Sequence, residues 1–296
     1  MRIGVDLGGT KIEAAVLGEA GEVLIRRRRP TPAVNYAETL GAVVDLVTEL
    51  ESEIGQRASV GVATPGALSP RSGRIKNANS TQLIGERLDA DLGAALDREV
   101  RIANDANCFA LSESVDGAAR GARVVFGVIL GTGVGGGIVV DGRVLTGLQA
   151  IAGEWGHNPL PWPRPEELPG PQCYCGRRGC IECFLSGPGL ARDYQQRREA
   201  LLTAEEIVAR ADAGEARADS CVARFSHRLA RGLAQVINIL DPDVIVLGGG
   251  LSRIRRLYDS VPRLWGEFVF SDHVDTRLRP PVHGDSSGVR GAAWLW

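Results

Sequence analysis

Apolar residues along the chain switch between two spacings, and the switching predicts an α/β protein. Short apolar runs mark strands at 2–7, 12–17, 22–27, 60–63 and 100–103. Between them, Leu40, Val43, Val44, Val47, Leu50 and Ile54 recur at helical spacing over 36–54. Leu88, Leu92 and Leu96 do so over 87–97, and a further helix covers 105–115. The pattern then restarts. A very apolar strand at 124–130 leads through a glycine-rich turn to strands at 137–140 and, after Asp141-Gly142, at 143–146. Residues 158–172 hold six prolines and read as a loop. Helices follow at 186–198, 204–213 and 217–239, then a strand at 244–247, a helix at 252–268 and a short helix within 284–296. Each half starts strand, glycine-rich turn, strand, and then alternates helices with strands. That is an α/β architecture, duplicated with divergence. The small, polar stretch 116–122 marks the boundary.

Composition narrows the class. A length of 296 residues suits two domains with a sizeable core. No apolar run reaches the ~18 residues that a membrane helix needs, and the charged, strand-like start predicts no signal peptide. A net charge of −2 gives no broad reason to bind nucleic acid. Six cysteines without an export signal point to a reducing, cytoplasmic setting, where clustered thiols bind metal more often than they form disulfides. Only two of the 34 basic residues are lysines, Lys11 and Lys76.

Several motifs carry chemistry. Asp6-Leu7-Gly8-Gly9-Thr10-Lys11 ends the first strand, where glycine amides with Thr10 and Lys11 can approach an anion. A strand follows, so this is a hairpin tip and not a Walker A loop. Gly131-Thr132-Gly133-Val134-Gly135 repeats the design in the second half. Two such loops can grip a polyphosphate, whereas either alone reads equally as an ordinary turn. Gly248-Gly249-Gly250 follows a buried strand and suits either a purine or a tight turn. Asp105, in Asn104-Asp105-Ala106-Asn107, is either a helix cap or a general base, and a helix N-terminus favours its ionised form. Cys173, Cys175 and Cys180 pack three thiols into eight residues, with His157 or Cys183 available as a fourth zinc ligand; a disulfide is the alternative. Glu154 and Glu182 flank this loop and offer acceptors to a polyhydroxylated ligand, or are simply surface charge. Trp155 is either a wall for that ligand or a core residue.

Taken in order, DLGGTK, NDAN, LGTGVGGG, EWGH, CYCGRRGCIE and VIVLGGG make the whole chain resemble the ROK family (repressor, open reading frame, kinase). Residues 75–81, 154–162 and 283–296 look most similar to its bacterial fructokinases, with N-acetylglucosamine kinases and glucokinases nearby. The resemblance implies an actin-like ATPase (ribonuclease H-like) fold, a small domain of 1–117 plus about 285–296, and a large zinc-binding domain of 118–284, with a cleft between them. It implies ATP-dependent phosphorylation of a hexose 6-hydroxyl, most similar to fructose use, with mannose as a possible second substrate. Asp105 would be the base, and Gly66, Asn79, Asn104, Glu154, His157 and Glu182 would bind sugar. Asp6 would lie near magnesium. Gly8, Gly9, Thr10, Lys11, Gly131, Thr132, Gly133 and Gly135 would hold ATP phosphates, and Gly248, Gly249 and Gly250 adenosine. His157, Cys173, Cys175 and Cys180 would bind structural zinc. A homodimer is implied, without nucleic acid or membrane partners. A regulator of the family would need a helix-turn-helix, and a chaperone-like ATPase would lack the NDAN, EWGH and cysteine motifs.

Overall fold

The computed structural model describes all residues except 33, 34, 79 and 196–201, and the side chain of Asp285. The first half contains β1 (Arg2–Leu7), β2 (Lys11–Leu17), β3 (Val23–Pro30), α1 (Tyr36–Ile54), β4 (Ser59–Thr64), β5 (Ala67–Leu68), β6 (Ile75–Lys76), α2 (Leu88–Leu96), β7 (Val100–Asn104) and α3 (Asp105–Val115). Then come β8 (Val124–Leu130), β9 (Val134–Val140), β10 (Arg143–Val144), α4 (Ile181–Leu185), α5 (Gly187–Gln195), α6 (Ala204–Asp212), α7 (Ala216–Leu240), β11 (Val244–Gly248), α8 (Leu257–Trp265), β12 (Arg277–Arg279) and α9 (Ser287–Ala293). Two five-stranded sheets result, ordered β3-β2-β1-β4-β7 and β10-β9-β8-β11-β12. The shared order is the duplication that the sequence pattern implied. Among the described residues no helix is long and apolar enough to cross a membrane.

The chain divides into two compact units. The first comprises Met1–Gly121, Gly137–Ala152 and Val282–Trp296; the second comprises Ala122–Gly136 and Gly153–Pro281. Residues 137–152 thus group with the first unit, where the sequence reading had them in the large domain. Two contacts explain this. A Cβ on Gly137 would lie 2.3 Å from the Ala106 carbonyl oxygen, so β9 and α3 touch backbone to backbone. Lys76 Nζ also donates to the Gln149 carbonyl oxygen at 2.5 Å, which gives that lysine a physical role.

In the first unit, β1 pairs antiparallel with β2 and parallel with β4, and β4 parallel with β7. Ile3, Val5, Ile12, Val43, Leu46, Leu50, Val60 and Val62 are fully buried between the sheet and α1. Asn35 caps α1 by accepting from the Glu38 amide, and Gly55 ends it at φ +67. The edge strand β3 carries Arg26–Arg29 in alternation. Arg26 and Arg28 pair with the buried Glu13, and Arg27 and Arg29 with Glu49. Charge on an edge discourages pairing with another strand.

In the second unit α7 buries Val222, Phe225, Leu229 and Leu233, as its spacing predicts, but also Arg228 and Arg231. Both guanidinium groups reach Glu167, Arg228 at 2.7 Å and Arg231 at 2.8 Å, and Arg228 also meets Asp193 at 3.0 Å. Arg231 donates to the Pro161 and Trp162 carbonyls as well, so the proline-rich loop is held by charge. Burial pushes the Glu167 carboxyl up. Hydrogen bonds from Arg228, the Arg164 amide and Arg231 outweigh this and hold it below the usual range. A depressed carboxylate contributes stability above its unfolded value, about 4.3, and loses it as pH falls further. Glu167→Ala should therefore cost about 3–5 kcal/mol, because buried Arg231 loses its carboxylate and buried Arg228 one of its two. Urea unfolding at pH 7 measures that loss, and the acid destabilisation of the native protein should shrink in the variant.

Candidate active site

The parallel register brings together most of the expected first-unit residues. Asp6 lies opposite Ala63, and Thr64 opposite Asn104, so β1, β4 and β7 end side by side. Ligands of α/β proteins bind beyond such carboxyl ends. Asn104, and not Asp105, is the cap of α3: its side chain accepts from the Ala106 amide at 2.9 Å and donates to the Gly66 carbonyl at 3.1 Å. Asp105 is the first helical residue, with Oδ1 2.8 Å from the same amide. Gly66 must be glycine twice over. Its φ is +77, and a Cβ would lie 2.3 Å from the Lys76 carbonyl oxygen. Asn79 lies outside the described residues.

The Asp6 carboxylate accepts no hydrogen bond from any described residue, which leaves its oxygens available to a cation or its water shell. Burial, then the negative charges of Asp105 and Glu13, push its carboxyl up to about 7, against the opposing charge of Lys11. Cys108 lies buried near both aspartates, and desolvation and their charges raise its thiol. In the adjoining turn the Gly8 amide donates to the Lys11 carbonyl at 3.0 Å, and Thr31 Oγ1 donates to the Gly8 carbonyl at 2.7 Å. The Lys11 side chain is half-exposed, with Nζ 3.9 Å from Glu13.

In the second unit the glycine turn is shorter than the sequence suggested. Gly131 donates to the Gly133 carbonyl at 3.0 Å, and β9 has already begun at Val134. Gly135 therefore stands inside the strand, and its carbonyl accepts from Trp155 Nε1 at 3.0 Å. Trp155 is buried with its ring edge-on to Phe126, so it is a core residue and no sugar wall. Gly131, Thr132, Gly187, Glu205, Gly250 and Leu251 line a cavity of about 470 Å³, in the size range of small-molecule sites. Gly249 sits at φ +78 against the Leu130 carbonyl and Gly248 closes β11, so these two form the tight turn that presents Gly250.

The metal candidates converge. Ligand atoms of His157, Cys173, Cys175 and Cys180 all lie within 4.8 Å of one another. His157 Nδ1 is 3.6 Å from Cys173 Sγ, and Cys175 Sγ is 3.6 Å from Cys180 Sγ. Bonds of about 2.3 Å around a tetrahedral ion imply sulfur separations of about 3.8 Å, so the donor set fits. His157 Nε2 lies 2.9 Å from the Tyr174 hydroxyl, which leaves Nδ1 facing the thiols. The Cys183 thiol is instead directed to the Gln172 carbonyl at 3.7 Å. Tyr174, between two of the cysteines, was not singled out from sequence, although its place in Cys-Tyr-Cys was the available signal. Burial, Glu182, Cys173 and Glu154 push its hydroxyl up to about 12, so both carboxylates lie near it. Glu182 Oε2 also accepts from the Val134 amide at 3.0 Å, tying α4 to the glycine turn. Glu154 is exposed at the start of the turn that carries His157.

Residues 2–296 match the ROK family. The chain is 40% identical to the N-acetyl-D-glucosamine kinase of Yersinia pseudotuberculosis, covering 100% of this chain and 98% of that protein. Among solved structures, the ROK hexokinase of Thermus thermophilus matches with a TM-score of 0.87 and 33% identity, over 99% and 96% of the two chains. The ROK glucokinase of Streptomyces griseus, solved with glucose and AMPPNP, matches with a TM-score of 0.80 and 26% identity, over 99% and 98%. The fold is accordingly the actin-like ATPase fold that the motifs implied. The expected likeness to fructokinases is not what these relatives show.

Purified protein should carry about one metal ion per chain at the three-thiol, one-imidazole site. Cys175→Ala should lose the metal and destabilise the second unit. Elemental analysis that finds no metal in the native protein contradicts the site.

Proposed function

The chain belongs to the ROK family, and on that premise we propose that it transfers the γ-phosphate of ATP to the 6-hydroxyl of N-acetyl-D-glucosamine. The observation that carries the reaction class is the placement of Asp105 at the start of α3, within electrostatic reach of Asp6 at the end of β1, one strand beyond β4 in the same parallel set. End-to-end similarity to N-acetyl-D-glucosamine kinases supports the sugar, in place of the fructose that the sequence motifs favoured.

Phosphoryl transfer needs position and charge more than covalent chemistry. Asp105 accepts the hydroxyl proton as the sugar oxygen attacks phosphorus. Asn104, held by the Gly66 carbonyl, orients the sugar, as does Asn79. Glu154, His157 and Glu182 bind its hydroxyls. The Gly8–Lys11 and Gly131–Gly133 turns bind phosphate oxygens, and the cavity beside Gly250 takes the nucleoside. The free oxygens of Asp6 suit magnesium, which neutralises phosphate charge when bound. The four-ligand site suits zinc, whose role is to hold the His157 turn and α4 in place. A homodimer remains part of the proposal, and exposed Trp162 and Phe270 of the second unit offer it apolar surface.

Coupled assays of ATP consumption across N-acetylglucosamine, N-acetylmannosamine, glucose, mannose and fructose test the reading. N-acetylglucosamine should give the highest kcat/KM; a preference for fructose moves the chain to the sugar its motifs first suggested. ATP consumption that ignores sugar rejects the kinase. Asp105→Ala should lower kcat by about 10²–10⁴-fold while sugar binding persists. Near-normal turnover of that variant removes Asp105 as the base.

A further inference from the structure

The C-terminal helix α9 is packed into the first unit through places where no side chain fits. A Cβ on Gly4 of β1 would lie 1.9 Å from the Val289 carbonyl oxygen, and one on Gly61 of β4 would lie 1.9 Å from that of Ala292. A Cβ on Gly291 would lie 1.7 Å from the Cys108 carbonyl oxygen in α3. Backbone therefore meets backbone on three sides. Ser287 adds a 2.8 Å hydrogen bond to the buried Glu113, and the buried Arg290 bonds Asp116 and the Gly21 carbonyl. The helix has no room to shift.

Gly288 differs from the other contacts. What a Cβ there would meet is a side chain, the Asp6 carboxylate, at 2.7 Å from Oδ2 and 3.1 Å from Cγ. Asp6 itself stands on β1, clamped between β2 and β4. With both backbones fixed, the carboxylate is the only part that can yield. No hydrogen bond from a described residue holds it, and the bare face of α9 at Gly288 lies directly against it.

We propose that Gly288 is a positioning residue for Asp6: its missing side chain lets α9 stand against the carboxylate and fix the orientation in which Asp6 serves the metal–nucleotide. The inference rests on the proposed kinase reading for its functional half, and on the geometry alone for its steric half. It assigns to a residue near the C-terminus a part in the chemistry at the end of the first strand.

Gly288→Ala tests it, with Gly41→Ala, where nothing lies within 4 Å of a new Cβ, as the control. Water-proton relaxation should show Mn²⁺ binding in the presence of AMPPNP weakened about tenfold or more in Gly288→Ala. A displacement of about 1 Å at reacting groups can cost 10²-fold, so kcat should fall by about 10–100-fold with sugar KM little changed. Asp6→Asn should show the same pattern, and the double variant should be no worse than Asp6→Asn. If Gly288→Ala melts early, Asp6→Ala should restore its Tm by removing the clash. Wild-type Mn²⁺ binding in Gly288→Ala, or a lowered Tm that Asp6→Ala leaves unrescued, overturns the proposal. An inactive native protein would instead reject the kinase reading, and the Tm coupling would still decide the steric claim.

Discussion

The parallel register of β1, β4 and β7 is the constraint on which the first unit's proposed chemistry depends. Parallel neighbours end at one level, so Asp6, the Thr64–Gly66 turn and the Asn104-Asp105 helix start stand side by side without any long-range loop to arrange them. A one-residue slip of β7 would turn every side chain to the opposite face. The register is held by the apolar faces of Val5, Val60 and Val62. It is also held by α9, which sits so close to β1 and β4 that glycine is required at positions 4 and 61.

The second unit solves a different problem. Two of its expected sugar-facing residues, Glu154 and His157, come from a short turn and the third, Glu182, from the five-residue α4, elements that are poor at holding position by themselves. Two devices compensate. One is the cluster of His157 with three cysteines, which draws the 157 turn and the start of α4 to one point. The other is the buried charge web of Glu167, Asp193, Arg228 and Arg231, which fastens the proline-rich loop to α7. Glu182 then bonds the Val134 amide, so the glycine turn and the proposed sugar site share a support.

Much of this was legible in the sequence because it is local. Strand and helix periods placed β1, β2, α1, α3, β8 and α7 within a residue or two. Cysteine spacing placed three of the four clustered ligands. What was missed depends on partners distant along the chain. Arg228 and Arg231 look like the polar face of a helix until Glu167, 61 and 64 residues earlier, is seen beside them. Gly135 and Gly136 read as a turn, with the strand beginning only at Gly137, because glycine frees the backbone. The structure instead uses two of these glycines for close approach: Gly136 leaves room for Trp155 and Phe126, and Gly137 for the Ala106 backbone. Asn104 and Asp105 are both plausible caps by composition, and only the hydrogen bond to Gly66 shows why the cap is Asn104.

The choice of sugar is the finest distinction and the least local. Hexoses offer overlapping hydroxyl patterns, and the residues of NDAN and EWGH proposed to meet those hydroxyls do not by their chemical type select one hexose. Short motifs pointed to fructose, while relatives that match along the whole chain are N-acetyl-D-glucosamine kinases. The position of the transferred phosphate tests the account most directly, since Asp105 is argued to activate one particular hydroxyl. Two-dimensional proton–phosphorus NMR of the product formed from ATP and N-acetyl-D-glucosamine should show a single phosphomonoester coupled to the two C6 protons. Phosphate on another carbon, or inorganic phosphate alone, would contradict it.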